Sequence, residues 1–142
     1  MVRNALTCPK FAWIIMLGLG GIDLVRGFVH TVLLEYAAIN IFVLDFSGGV
    51  DNQMFLLGIF GISNYLTGIL YILIGLKARA LVPIILPIIP ALYFLGNAII
   101  TRVATPTAHL GGGPYMLIYF ALCIMTFLAI LVVNVTKRTE NK

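Results

Sequence analysis

Four apolar stretches, each about 20 residues long, divide this sequence and limit what the chain can fold into. They cover residues 11–30, 54–76, 80–100 and 115–135. Hydrocarbon offers no partner to a free backbone amide, and the stretches lack the alternation of barrel strands, so each is predicted to be an α-helix. The sequence therefore predicts an all-α integral membrane protein, an antiparallel bundle of four transmembrane helices.

The composition supports a membrane protein with one domain. Hydrophobic residues make up 61% of the 142 residues, whereas a water-soluble domain is about half apolar. Four spans leave no room for a separate soluble module, so residues 1–142 are predicted to be a single membrane domain in contact with the lipid bilayer. The net charge of +4 comes from scattered bases at span ends, which is not the pattern of a nucleic-acid-binding protein.

The basic residues predict the orientation of the four spans. Seven of the nine would lie on one side of the membrane, while Arg102 lies on the other side and Arg26 lies within a span. An excess of Lys and Arg marks the cytoplasmic side, so both termini of this multi-pass chain are predicted to be cytoplasmic, in the cell membrane. The seven residues are Arg3, Lys10, Lys77, Arg79, Lys137, Arg138 and Lys142.

An apolar outer segment, residues 31–46, follows the first span. It is too apolar for a free loop and too polar for another span, so it is predicted to continue the first helix or to lie along the outer interface. Its apolar side chains need a cover, which lipid or the chain's own outer loop can supply. Otherwise the cover is another membrane subunit or a second copy of the chain.

Three ionisable residues in the first span are the strongest candidates for chemistry. Asp23, Arg26 and His30 share one helix face. At about 100° per residue, Arg26 lies roughly 60° and His30 roughly 20° around the helix from Asp23. A charge at this depth is costly and is expected to face the bundle interior and be paired. The stripe is either an Asp23–Arg26 ion pair that links helices, or a proton relay or anchor for a ligand headgroup.

Two asparagines are predicted to complete an intramembrane polar cluster with this stripe. Asn64 lies near the middle of the second span, and Asn97 lies near the outer end of the third. An Asn in a span is most often a hydrogen-bond link between helices. The tyrosines of the spans are interpreted as packing groups or interfacial anchors.

Glycines of the second span predict a close helix contact. Gly61, Gly68 and Gly75 follow a seven-residue repeat, and Gly58 lies three residues before the first of them. Because seven residues are nearly two helical turns, these glycines form a groove where another helix backbone can approach.

The third span carries Pro83, Pro87 and Pro90 on one face. Each proline removes a backbone donor, so the helix is predicted to be kinked there, either as a structural bend or as a gating hinge. The short connection at residues 76–79 further predicts that the second and third spans form a helical hairpin.

Motifs for catalysis and metal binding give little support to an enzyme. The sequence has no Ser-His-Asp order, nucleotide-binding loop or haem-attachment motif, so no catalytic residue is predicted. His30 and His109 could converge with Glu35 on the outer side, but no metal-ligand spacing accompanies them and no metal site is predicted. Cys8 and Cys123 lie at different depths, so no disulfide is expected.

The stretch Asn64–Arg79 resembles the second helix of DoxX-like membrane proteins, a family of small four-helix bundles. A polar residue, a glycine step and a basic turn follow one another there in similar order. The resemblance implies a role linked to quinone-dependent redox chemistry, with a quinone as the possible cofactor. This chain has Asn64 where that family usually has a glutamate, which removes a titratable group.

Three functions remain open at this point. The first is a non-catalytic accessory or structural subunit of a larger membrane-bound enzyme complex. The second is a DoxX-like, quinone-linked redox subunit that uses Asp23, Arg26 and His30. The third is a small homo-oligomeric transporter or channel in which the bend at Pro83, Pro87 and Pro90 acts as a gate.

Overall fold

The computed structural model describes residues 6–42, 49–102 and 113–140. Within these residues the chain forms four long helices, each long and apolar enough to cross a membrane. The predicted set of four apolar spans is thus confirmed. The helices are α1 (Lys10–Thr31), α2 (Val50–Lys77), α3 (Val82–Ile100) and α4 (Gly113–Glu140).

Two helices extend further than the hydropathy pattern predicts. α2 begins at Val50, directly after Gly49, whose φ of 71° is a left-handed conformation that glycine adopts without strain. α4 ends at Glu140 instead of residue 135. Hydropathy locates only the part of a helix that lies in hydrocarbon, whereas helix formers such as Lys137 and Arg138 continue the helix beyond it.

The four helices pack as two pairs joined through α1. α1 and α2 pack along their lengths, α3 packs on α4, and α1 also contacts both α3 and α4. α2 and α3 are joined by a short 3₁₀ turn, Arg79–Leu81, but they do not pack along each other. The predicted hairpin of the second and third spans is therefore wrong. The glycines of α2 let α1 approach more closely than α3 can.

The buried core lies where α1, α3 and α4 meet. α2 supplies only partly buried side chains to it, Tyr71 and Ile74. The most apolar window of α2 is 17% buried, as is that of α3, against 33% for α1 and 28% for α4, but α3 contributes Val82 and Leu86 to the core. α2 is therefore a peripheral helix held by α1. The core residues are Ala12, Met16, Leu19, Val82, Leu86, Tyr119, Phe120, Cys123 and Ile130.

Hydrogen bonds fix the amino-terminal segment to the end of α4. The N–H and hydroxyl of Thr7 donate to Oδ1 of Asn134 at 2.9 and 2.7 Å, and Nδ2 of Asn134 donates to the carbonyl of Thr7 at 3.0 Å. The start of α1 and the end of α4 therefore lie at the same end of the bundle. We call this end the basic end, because it carries Lys10, Lys77, Arg79, Lys137 and Arg138.

The outer segment continues α1 as irregular helix. A short α-helical turn, Leu34–Tyr36, leads into a π-helical turn, Ala37–Ile41. Ala37 and Ala38 are fully buried, whereas Tyr36 and Ile39 remain about half exposed. Residues 43–46 of this segment, which include Asp45, lie outside the described residues.

Candidate functional site

Asp23 and Arg26 form an ion pair within α1. Nη1 of Arg26 lies 3.1 Å from Oδ1 of Asp23, one helical turn away. Asp23 is 4% exposed, whereas the side chain of Arg26 is 25% exposed. A lone charge at a span centre costs roughly 2.5–3.5 kcal/mol on insertion scales, so each partner lowers the cost of placing the other in hydrocarbon.

Tyr119 of α4 binds the other oxygen of the same carboxylate. Its hydroxyl donates to Oδ2 of Asp23 at 3.1 Å. Both carboxylate oxygens therefore accept a hydrogen bond, one from within α1 and one from α4. Sequence reasoning interpreted Tyr119 as a packing group and missed this bond. The spacing of Tyr119, Cys123 and Thr126 could have indicated it, because this spacing places the three residues on one face of α4, and that face is buried.

His30 lies at the contact of α1 with α2. The amide nitrogen of Asn64 lies 3.2 Å from Nδ1 of His30, where its N–H donates. The imidazole stacks on the ring of Phe60, with centroids 5.7 Å apart, and meets Phe42 edge-on at 5.2 Å. His30 and Asn64 are 5% and 6% exposed, so this bond is a buried link between the two helices.

Arg26 approaches the same aromatic ring as His30. Its guanidinium carbon lies 5.8 Å from the centroid of Phe60. This distance is within the range of a cation–π contact. Phe60 is 48% exposed, so the side of α1 and α2 that carries Arg26 and His30 borders the surface of the bundle.

A second pair of polar side chains joins α1 and α2 next to the His30–Asn64 bond. The hydroxyls of Thr31 and Tyr65 are 3.2 Å apart, and the Thr31 hydroxyl also donates to the carbonyl of Gly27 at 2.8 Å. In the described part of the chain, every buried side-chain nitrogen and oxygen has a hydrogen-bond partner. The polar side chains of α1 are thus engaged by α2 and α4.

Glycines from both helices line the contact of α1 with α2, which we call the glycine seam. A Cβ on Gly68 would lie 2.8 Å from the backbone oxygen of Gly20, and one on Gly27 would lie 3.1 Å from the oxygen of Gly61. A Cβ on Gly75 would likewise lie 3.2 Å from the backbone oxygen of Trp13. At 2.8 Å from a backbone atom a side chain has no room unless a helix moves, and at 3.1–3.2 Å the neighbouring atom must give way by a few tenths of an ångström. The partner of the α2 glycines is therefore α1 of the same chain.

Gly58 and Asn97 lie apart from these contacts. A Cβ on Gly58 would meet only Leu34, at 3.9 Å, because the residue borders an open apolar cavity of about 240 Å³ between the outer segment and α2. Asn97 is exposed, and only its backbone carbonyl is engaged, by Thr101 at 2.9 Å. The structure thus joins Asp23, Arg26, His30 and Asn64 through α1 but leaves Asn97 out of the cluster.

The three prolines have different positions in α3. Pro83 lies in the first turn, where a backbone N–H would have no partner in the helix. Pro87 and Pro90 lie inside the helix, so a bend of α3 stays a prediction for these two positions only. Pro83 and Pro90 are buried and face the core.

The residues considered for a metal do not form a ligand set in the described ranges. No group of three His, Cys, Asp or Glu side chains converges among residues 6–42, 49–102 and 113–140. Glu35 is exposed, whereas His30 is buried against Asn64. His109 lies outside the described residues.

Comparisons with protein-family models, with curated proteins and with solved structures found no match. The chemistry of the polar cluster follows from its own geometry. Each oxygen of the Asp23 carboxylate accepts one hydrogen bond, from Arg26 and from Tyr119, and the Nδ1 atom of His30 is engaged by Asn64. Such bonds orient the helices relative to one another, in the way that polar side chains join helices in membranes.

Proposed function

We propose that this small multi-pass membrane protein is a non-catalytic accessory subunit of a larger membrane-bound enzyme complex. The observation that carries the proposal is the position of α2. Among the residues that the structure describes, α1 is the only long helix that packs along it, and of its side chains Tyr71 and Ile74 also reach the core. A membrane helix of another subunit packed on the exposed side of α2 would cover apolar side chains such as Leu66 and Ile69, which are at least half exposed.

The paired state of the polar cluster also supports this proposal. A relay or ligand anchor needs polar groups that are available to protons or ligand, whereas those of Asp23 and Asn64 bind neighbouring helices. Bonds of this kind average about 0.6 kcal/mol in a membrane protein, enough to fix helix positions when several act together. The cluster then fixes α1 against α4 and α2 against α1, so that α2 has a defined position for contact with its partner.

Site-specific photocrosslinking in native membranes tests the accessory role. A photoreactive residue in place of Leu66 on α2 is expected to crosslink to a different membrane protein. The matched control is Met125 on α4, which is 64% exposed where Leu66 is 60% exposed. It is expected to give no such product, because α4 already has two helix neighbours, α1 and α3, and its exposed side is left to lipid under this proposal. Equal crosslinking at both positions, or a product of two copies of this chain only, would contradict the proposal.

A second candidate, the DoxX-like quinone-linked role, has one structural observation in its favour. Arg26 and His30 meet at the partly exposed ring of Phe60, so a donor and an imidazole lie close to lipid. A quinone carbonyl is an acceptor that such groups can bind. Stoichiometric quinone in the chain purified in mild detergent, lost on substitution of Arg26, would favour this candidate over an accessory subunit.

The chain lies in the cell membrane with its basic end, and thus both termini, in the cytoplasm. The clustering of basic residues at this end supports the orientation, by the positive-inside rule. In a Cys123→Ala background, a membrane-impermeant maleimide is expected to label Cys8 in inverted vesicles and not in intact cells. Labelling of Cys8 in intact cells would show that the basic end lies outside the cell.

The labelling rate of Cys8 gives a second measurement. Burial raises the pKa of its thiol, while the N–H of Trp13 and the charge of Arg79 act in the opposite direction. Cys8 is therefore expected to react more slowly than free cysteine at pH 7, with a rate that rises about tenfold per pH unit below the pKa. Arg79→Gln should slow the reaction further, because the neighbouring positive charge stabilises the thiolate.

A further inference from the structure

Arg79 is held in a fixed position at the basic end. Its Nε donates to the carbonyl of Gly75 at 3.2 Å, at the end of α2. Its guanidinium carbon lies 4.2 Å from the centroid of the Trp13 ring. The close approach of α1 and α2 at Gly75 makes this stacking possible, because it brings the first turn of α1 beside the last turn of α2.

The rest of the guanidinium is available to a ligand. Nε is used by Gly75, whereas neither Nη nitrogen has a hydrogen-bond partner among the described residues. Arg79 is exposed, so these donors are accessible from the membrane surface. An arginine whose fork is already oriented loses less side-chain entropy on binding and matches a phosphate with two parallel hydrogen bonds.

The location of the site indicates where that phosphate comes from. Trp13 lies in the first turn of α1, and tryptophan favours the level of the lipid headgroups. Lys10 and Lys77 lie at the same end, so the local charge is positive and complements an anionic membrane surface. We propose that Trp13, Arg79 and the end of α2 form a binding site for the phosphate of an anionic phospholipid.

The site can be measured directly, because Trp13 is the only tryptophan of the chain. Purified protein in a neutral detergent is titrated with phosphatidylglycerol while the emission of Trp13 is recorded. We expect a saturable change of emission as the phosphate engages the guanidinium stacked on the indole. Phosphatidylcholine, whose choline cation neutralises and shields the phosphate, and inorganic phosphate, which has no acyl chains to hold it beside Trp13, are expected to give no saturable change at equal concentration.

Three variants separate this site from general charge attraction. Arg79→Gln is expected to weaken phosphatidylglycerol binding about tenfold, and Arg79→Lys, which keeps the charge without the fork, to weaken it about threefold. Lys77→Gln removes the same charge at the same end and is expected to change binding less than twofold. Circular dichroism and thermal unfolding of each variant establish that it is folded.

Several outcomes would overturn the proposal. Equal loss of binding in Lys77→Gln and Arg79→Gln would show a diffuse electrostatic attraction. An equal response to inorganic phosphate would show a site for free phosphate, and an equal response to phosphatidylcholine would show that anionic charge is not recognised. Should Arg79→Gln fail to fold, binding by Arg79→Lys equal to the unsubstituted protein would contradict the role of the fork.

Discussion

Arg26→Met is expected to lower the free energy of unfolding by about 3 kcal/mol, the lower end of the range for removing one partner of a buried ion pair, because the side chain of Arg26 is 25% exposed. The variant leaves the Asp23 carboxylate with Tyr119 as its hydrogen-bond partner and no compensating charge. Asp23 is 4% exposed, so water cannot replace the guanidinium. Unfolding in mixed micelles of a mild and a denaturing detergent, followed by circular dichroism, measures the loss.

A second substitution tests whether the loss arises from the stranded charge. Asp23→Asn combined with Arg26→Met removes both charges and keeps an amide oxygen that can accept from Tyr119. The double variant is expected to recover most of the stability, because replacing a whole buried pair is often neutral. A double variant that is as unstable as Arg26→Met would show that Arg26 acts through packing, for example on Phe60, and not through its charge.

The same double variant separates the two interpretations of the polar stripe. If Arg26 serves to neutralise Asp23, whose bond to Tyr119 holds α1 against α4, the refolded double variant keeps the crosslink from Leu66 to a partner. If Arg26 anchors a ligand headgroup, the double variant is stable but retains no ligand. Under the structural interpretation, the double variant therefore recovers both its stability and its crosslink. Under the ligand interpretation, it recovers its stability but does not bind the ligand.

The sequence predicts the four spans and the Asp23–Arg26 pair because both depend on local periodicity. Twenty apolar residues must become a helix in hydrocarbon, and residues three apart on a helix are neighbours in any bundle. The contact of Asp23 with Tyr119 joins residues that are 96 positions apart. It depends on how α1 and α4 are rotated and displaced, which hydropathy does not determine.

Asn97 shows why a shared helix face is not enough. It lies seven residues after Pro90, which is buried, so periodicity alone would also place Asn97 inside the bundle. No residue from 91 to 100 is buried, because the outer half of α3 has little cover from its neighbours. A pattern within one helix gives the face that can be buried, and the neighbouring helices decide over what length it is buried.

The glycines of α2 by themselves predict only one side of the glycine seam. Gly61, Gly68 and Gly75 indicate a close contact but do not name the partner helix. The partner follows from α1, where Gly20 and Gly27 have the same seven-residue spacing and face Gly68 and Gly61 in antiparallel order. Matching small-residue repeats in two spans are therefore a signal that can identify the pair of helices that pack.

Gly68→Ala is expected to destabilise the protein by about 1–3 kcal/mol, the usual cost of overpacking a close contact. The new Cβ would lie 2.8 Å from the backbone oxygen of Gly20 and 3.0 Å from the side chain of Leu24. A backbone atom cannot rotate away as a side chain does, so α1 and α2 must separate. The separation is expected to lengthen the His30–Asn64 contact, now 3.2 Å, and weaken it as well.

Gly18→Ala provides the matched control, because it makes the same chemical change on α1 at a position with nothing within 4 Å of the new Cβ. Alanine favours helix over glycine by about 1 kcal/mol, so this variant is expected to be as stable as the unsubstituted protein or more stable. Because the gain in helix propensity is common to both variants, they should differ by the overpacking cost, about 1–3 kcal/mol, in the detergent unfolding measurement. Equal stability of the two variants would mean that α1 and α2 do not touch along the seam, and the placement of His30 and Arg79 against their partners would fail with it.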